Sequence, residues 1–119
     1  MNKHDIGVKG EDIALAHLLA KGHTLLTRNW KCRMGELDLV TRQRDILIFV
    51  EVKACSGRGL DAAIMNMTPR KIERLTKAIH YYLDAHNISE PLWQLDFVAV
   101  AIPYSGAPLV EHWENALEW

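Results

Sequence analysis

Apolar residues recur along this chain in two rhythms, and each change of rhythm marks an element. Residues 5 to 21 read as an amphipathic helix, with Ile6, Ile13, Leu15, Ala16, Leu18 and Leu19 crowding one side and Gly22 placed to end it. From His23 to Cys32 the period shortens to a loose alternation through Leu25, Leu26 and Trp30. That predicts a strand, closed by a tight connection at Arg33, Met34 and Gly35. ELDLV, residues 36 to 40, puts Leu37 and Leu39 on one face and Glu36, Asp38 and Val40 on the other. A polar hairpin turn from Arg42 to Asp45 leads into ILIFVEVKA, residues 46 to 54. This stretch is apolar on both faces until Glu51 and is expected at the centre of a sheet.

Residues 56 to 67, SGRGLDAAIMNM, contain two glycines and no sustained period, the profile of a mobile loop. Thr68 and Pro69 then supply an N-cap and a first-turn proline for a long helix reaching about Asn87. Ile72, Leu75, Ile79, Tyr82 and Leu83 form its buried stripe, and Arg70, Arg74 and Lys77 fall together on another face. WQLDFVAVAI, residues 93 to 102, predicts a strand, Pro103 to Pro108 a turn, and Leu109 to His112 a last short strand. The order α, β, β, β, α, β, β describes one α/β domain over residues 1 to 119, built on a mixed sheet.

Composition supports a packed core: 119 residues, 49% of them hydrophobic, are enough for one. Cys32 and Cys55 have neither CxxC spacing nor a histidine cluster beside them, so they are expected to be reduced thiols. The N-terminus is charged throughout and no run of about 18 apolar residues occurs, which predicts a soluble, cytoplasmic protein without a membrane partner. The net charge of −1 conceals a segregation. All 14 Lys and Arg precede residue 78, against nine acids there, and the remaining six acids follow it. Such asymmetry is compatible with a basic face for nucleic acid and equally with a self-compensating surface.

Charge placed inside strands is the pattern that carries chemistry. Glu36 and Asp38 share one strand face, Glu51 and Lys53 share another, and a hairpin around Gln43 and Arg44 would bring all four together. Crowded carboxylates repel and rise in pKa unless a cation sits between them, and oxygen ligands suit Mg²⁺ or Mn²⁺. A lysine two residues from Glu51 would stand near an activated water and an incoming phosphate, which describes phosphodiester hydrolysis. The plainer alternative is a structural pairing of Lys53 with Glu51 or Asp38. Glu36 reads either as an outer group of such a site or as a solvated charge at a strand start. Arg70, Lys71, Arg74 and Lys77 read as a phosphate track or, with Glu73 among them, as a solvated helix face. The six histidines show no ligand spacing and the four tryptophans are expected to anchor packing.

Gly10, Glu11 and Ala14 (GExxA), Asn29 and Trp30 (NW) ahead of GELDLV, FVEVK, a Lys/Arg-bearing helix and LDFVAV together resemble the YraN family of small bacterial proteins. That family is assigned to the restriction-endonuclease-like, PD-(D/E)xK nuclease superfamily, and the likeness runs from about Gly7 to Trp113. The resemblance implies a mixed sheet flanked by helices, with Asp38, Glu51 and Lys53 as the signature triad. It also implies that Glu11 joins the metal cluster, as the corresponding glutamate does in related Holliday-junction resolvases. The implied activity is Mg²⁺- or Mn²⁺-dependent hydrolysis of DNA, branched DNA included, leaving a 5′-phosphate. Cleaving two strands of a junction would be easiest for a symmetric homodimer. Two departures stand out: Ala54-Cys55 replaces a usual Thr-Arg, and Gln94-Leu95-Asp96 replaces Arg-Phe-Asp, each expected to remove a cation near the site. A nucleic-acid-binding repair or recombination accessory without useful turnover is the alternative. A protein-interaction module docking through residues 64 to 67 is a third.

Overall fold

The structure is a computed structural model and describes residues 1–57, 59–61, 65, 67–89 and 91–118. Helix α1 (Lys3–Ala20) is followed by strands β1 (Thr24–Cys32), β2 (Gly35–Gln43) and β3 (Ile46–Ser56), helix α2 (Pro69–Ala85), and strands β4 (Leu92–Ile102) and β5 (Leu109–Trp113). A short 3₁₀ turn, Ala116–Glu118, closes the chain. The five strands form one sheet in sequence order. All neighbours are antiparallel except β3 and β4, which run parallel and are linked through α2, so the sheet is mixed as expected.

Alternate residues of β3 choose opposite layers. Leu47 and Phe49 pack with Leu75, Ile79 and Tyr82 of α2, whereas Ile48 and Val50 pack with Ala14 and Leu18 of α1. The sheet therefore lies between the two helices. Its central strand is apolar on both sides because both sides are covered. Helix α2 begins as its sequence dictates: the Thr68 hydroxyl accepts from the Lys71 backbone N–H at 3.2 Å and Pro69 occupies the first turn, where no backbone donor is needed. It ends at Ala85 and buries Ala78 alongside the expected stripe.

Helix α1 corrects its sequence reading. It starts at Lys3 behind an Asn2 cap, and its buried residues are Gly10, Ala14 and Leu18, while Leu19 and Ala16 face solvent. The helix seats itself through its small residues. A Cβ added at Gly10 would collide with that of Ala54 on β3, so only glycine lets the two backbones come this close. A stripe of small residues gives almost no amphipathic signal, and the bulky residues beside it dominate the sequence pattern without being the ones buried.

On the α1 side of the sheet, fully buried Asp96 of β4 accepts three hydrogen bonds. The donors are Gln94 Nε2 at 2.8 Å, His112 Nε2 at 2.7 Å and the Asn115 backbone at 3.0 Å. Lys21 Nζ stands 3.0 Å from the other nitrogen of His112. This network ties β4, β5 and the end of α1 together, and it corrects one expectation. Gln94 pairs in register with Ile48 of the α1 side, so it lies on the opposite face from Asp38 and Glu51 and removes no cation from them. Cys32 and Cys55 are both free. Ile64 and Asn66 of the proposed docking loop lie outside the described residues, as does Trp119.

Candidate metal centre in the fork between two strands

Strands β2 and β3 pair only from Gln43–Ile46 to Leu39–Val50. Beyond that point β2 stays with β1 as far as the Cys32–Gly35 pair, and β3 stays with β4 as far as Ser56–Ile102. The sheet forks. Asp38 stands at the apex, where its Oδ2 accepts the Val52 N–H at 2.8 Å in place of a backbone carbonyl. The alternation of β2 breaks at the same residue. Leu37 packs with Val40 and α2, while Leu39 packs with α1, so the expected shared face of Leu37 and Leu39 does not occur.

Glu51 lies across the fork from Asp38, lining the same groove, and each carboxyl group bears on the other's protonation. Burial, reinforced by the charge of Asp38, pushes Glu51 up to about 9. Asp38 is raised as well, by burial first and by Glu36 next. Among the described residues the cation that reaches Glu51 is Lys71 of α2, whose Nζ is 3.9 Å from Glu51 Oε1, too far for a close ion pair.

Glu11 comes to the fork from α1, on the far side of the sheet. Glu11, Glu36 and Asp38 each present a carboxylate oxygen within 4.8 Å of the other two. Burial raises the pKa of Glu11, opposed first by a hydrogen bond from Asn29 and then by Arg28. Asn29 Nδ2 donates to Glu11 Oε1 at 2.9 Å and to Glu36 Oε1 at 2.7 Å. Arg28 pairs with Asp12 at 2.7 Å and reaches Glu11 at 3.5 Å. Hard oxygen donors that crowd and hold protons they would otherwise lose are a fitting set for Mg²⁺ or Mn²⁺.

Two grooves open onto this cluster. One, of about 550 Å³, is floored by Glu36, Asp38 and Glu51 and walled by Thr68, Arg70, Lys71 and Arg74. The other, of about 450 Å³, runs between α1 and β1 past Lys3, His4, Arg28 and Lys31. Glu36 lines both. The structure thus brings together Glu11, Glu36, Asp38, Glu51, Arg70, Lys71 and Arg74.

Two expected residues stand apart. Lys77 turns to Glu73 at 3.4 Å and lines a different depression near His80 and Asp84. Lys53 shares the Glu51 face one pleat repeat along β3, about 6.6 Å on, and among the described residues it pairs with no carboxylate. The structural pairing of Lys53 with Glu51 or Asp38 is therefore absent. Cys55 is four residues beyond Glu51, about 13 Å along the strand, so the missing arginine there is distant from the cluster. Sequence reasoning missed Arg28, Lys31 and the role of Asn29. The available signal was an asparagine inside a strand, where that residue is depleted.

The family described as "Uncharacterised protein family UPF0102" matches residues 10–100. A UPF0102 protein of Kineococcus radiotolerans is 39% identical over 111 residues, covering 92% of this chain and 91% of its own. One from Streptomyces griseus is 38% identical over 108 residues (90% and 91%), and one from Neisseria meningitidis serogroup C is 38% identical over 97 (82% and 84%). With a matched profile through both the fork and the parallel strand pair, and relatives aligned along nearly their whole lengths, the chain belongs to the UPF0102 (YraN) family.

Proposed function

We propose that this chain is a divalent-metal-dependent nuclease that hydrolyses phosphodiester bonds of DNA. The observation that carries the reading is the buried Asp38–Glu51 pair, whose carboxyl groups are both raised in pKa, in one groove with Arg70 and Arg74, which form no ion pair among the described residues. Such an arrangement costs stability and has little structural purpose, because apolar residues would fill a strand fork at least as well.

Asp38 and Glu51, with Glu11 and Glu36 beside them, would hold Mg²⁺ or Mn²⁺. When bound, the ion supplies a Lewis acid for phosphate and lowers the pKa of water. Arg70, Lys71 and Arg74 bind phosphate oxygens along one groove, while Lys3 and Lys31 offer cations along the other. A strand crossing the carboxylates would thus be held on both sides of the scissile bond, as internal cleavage requires. Lys53, half-buried on the Glu51 face and paired with no carboxylate among the described residues, orients the attacking water and offsets the charge that develops on phosphate.

The test is cleavage of supercoiled plasmid and of branched, flap and single-stranded DNA with Mn²⁺ or Mg²⁺. Asp38→Asn and Glu51→Gln are expected to abolish cleavage, and Lys53→Ala to reduce it by roughly 10²–10⁴ while metal still binds. Full activity in the Asp38 variant, or unchanged cleavage by the Lys53 variant, would overturn the corresponding assignment. DNA binding that survives all three substitutions with no cleavage by the parent protein would favour the accessory reading.

A further inference from the structure

We infer that Asn29 is a positioning residue that sets the spacing of two carboxylates for a shared divalent cation, an inference that rests on the metal-centre reading above. Its single side-chain nitrogen carries two hydrogens, and each has its own acceptor: Glu11 Oε1 at 2.9 Å and Glu36 Oε1 at 2.7 Å. The amide orientation follows from chemistry, since the reverse would turn an oxygen toward two carboxylates. Glu11 belongs to α1 and Glu36 to β2, so one amide ties a helix on one side of the sheet to the strand that lines the fork.

The backbone is shaped for this contact. Asn29 has φ of +54° within β1, a conformation that L-residues rarely take in a strand and that asparagine tolerates better than most. It stands between the Arg28–Leu39 and Trp30–Leu37 pairs, opposite Asp38. The distorted rung of the β1–β2 ladder is thus the rung that bears the apex carboxylate. A neutral donor suits the task. It gathers two anions without supplying a positive charge that would compete with the cation, which the Arg28 guanidinium would do if it took the same place.

The distinction between shaping the strand and spacing the ligands is open to experiment. Asn29→Gly keeps the positive φ at no steric cost and deletes the amide, whereas Asn29→Ala deletes the amide and also strains the backbone. Mn²⁺ affinity is measured by titration calorimetry and by water-proton relaxation, with a thermal melt of each metal-free variant. Asn29→Gly is expected to stay folded and to melt no lower than Asn29→Ala, yet to bind Mn²⁺ about 10–100-fold more weakly than the parent protein, the range usual for outer groups that orient metal ligands. Equal Mn²⁺ affinity in the parent and the glycine variant would overturn the inference and leave Asn29 a turn-forming residue. A parent protein that takes up no Mn²⁺ would overturn it by a different route, by removing the metal-centre reading on which it stands.

Discussion

A carboxyl group that keeps its proton to about pH 9, as burial and Asp38 make Glu51 do, ties folding and metal uptake to pH in opposite senses. In the unfolded chain this group ionises near 4.5. Between those values the folded protein therefore binds more protons than the unfolded one. Metal-free stability falls as pH rises through that window, by at most about 1.4 kcal/mol per pH unit, and the effect is absent below the unfolded value. A cation taken up at the fork displaces the same proton, so its affinity climbs as pH rises. The gain in melting temperature on adding Mn²⁺ is expected to be larger at about pH 8 than at about pH 6, and Glu51→Gln should flatten the metal-free dependence. Identical metal-free pH profiles for the parent and Glu51→Gln would refute the buried, protonated state of Glu51.

At the scale of elements, the order of strands and helices was legible because each carries its own period and punctuation. Thr68-Pro69 announces α2, and the unbroken apolar run of β3 announces a strand covered on both faces. What could not be read is where regularity fails. Period-two reasoning assumes a continuous ladder, so it put Leu37 and Leu39 on one face and could not foresee that β2 leaves β3 at Asp38. It could not see that an asparagine at positive φ sits on the opposing rung. For α1, the contact through Gly10 and Ala14 left no amphipathic trace. The strand carboxylates Glu36, Asp38 and Glu51 were nevertheless identifiable, because a charge inside an apolar strand is conspicuous at any register, whereas Glu11 on α1 entered only through the family resemblance. Glu36 gained a partner in Asn29, and Lys77 turned out to face away. The Asp96 network lies on the α1 face, away from Asp38 and Glu51, and meets α1 at Lys21, ten residues along from Glu11, so its first effect should be on folding. His112→Ala leaves Asp96 one donor short and is expected to cost about 1–3 kcal/mol in urea unfolding with Mn²⁺ affinity unchanged. A parallel loss of Mn²⁺ binding would show that the two faces communicate.

For the molecule as a whole, a net charge of −1 gives no hint of affinity for a polyanion, yet the cations of α2 and of the α1–β1 groove flank one acidic centre. If that surface holds duplex DNA, Arg70→Ala and Arg74→Ala should each reduce the slope of log affinity against log salt by about 0.9, whereas Lys77→Ala should leave it nearly unchanged. Equal effects of all three substitutions on the slope would mean that the helix attracts DNA diffusely instead of through one groove. The close seat of α1 reaches further than packing. Gly10 precedes Glu11, and the same clearance against Ala54 that lets the helix settle also sets how far that glutamate extends into the fork. Positions 10 and 54 divide one small volume between a helix and a strand. A methyl group gained at either is a wedge, which tilts the helix and withdraws a ligand, so mutational drift at one position is answerable to the other.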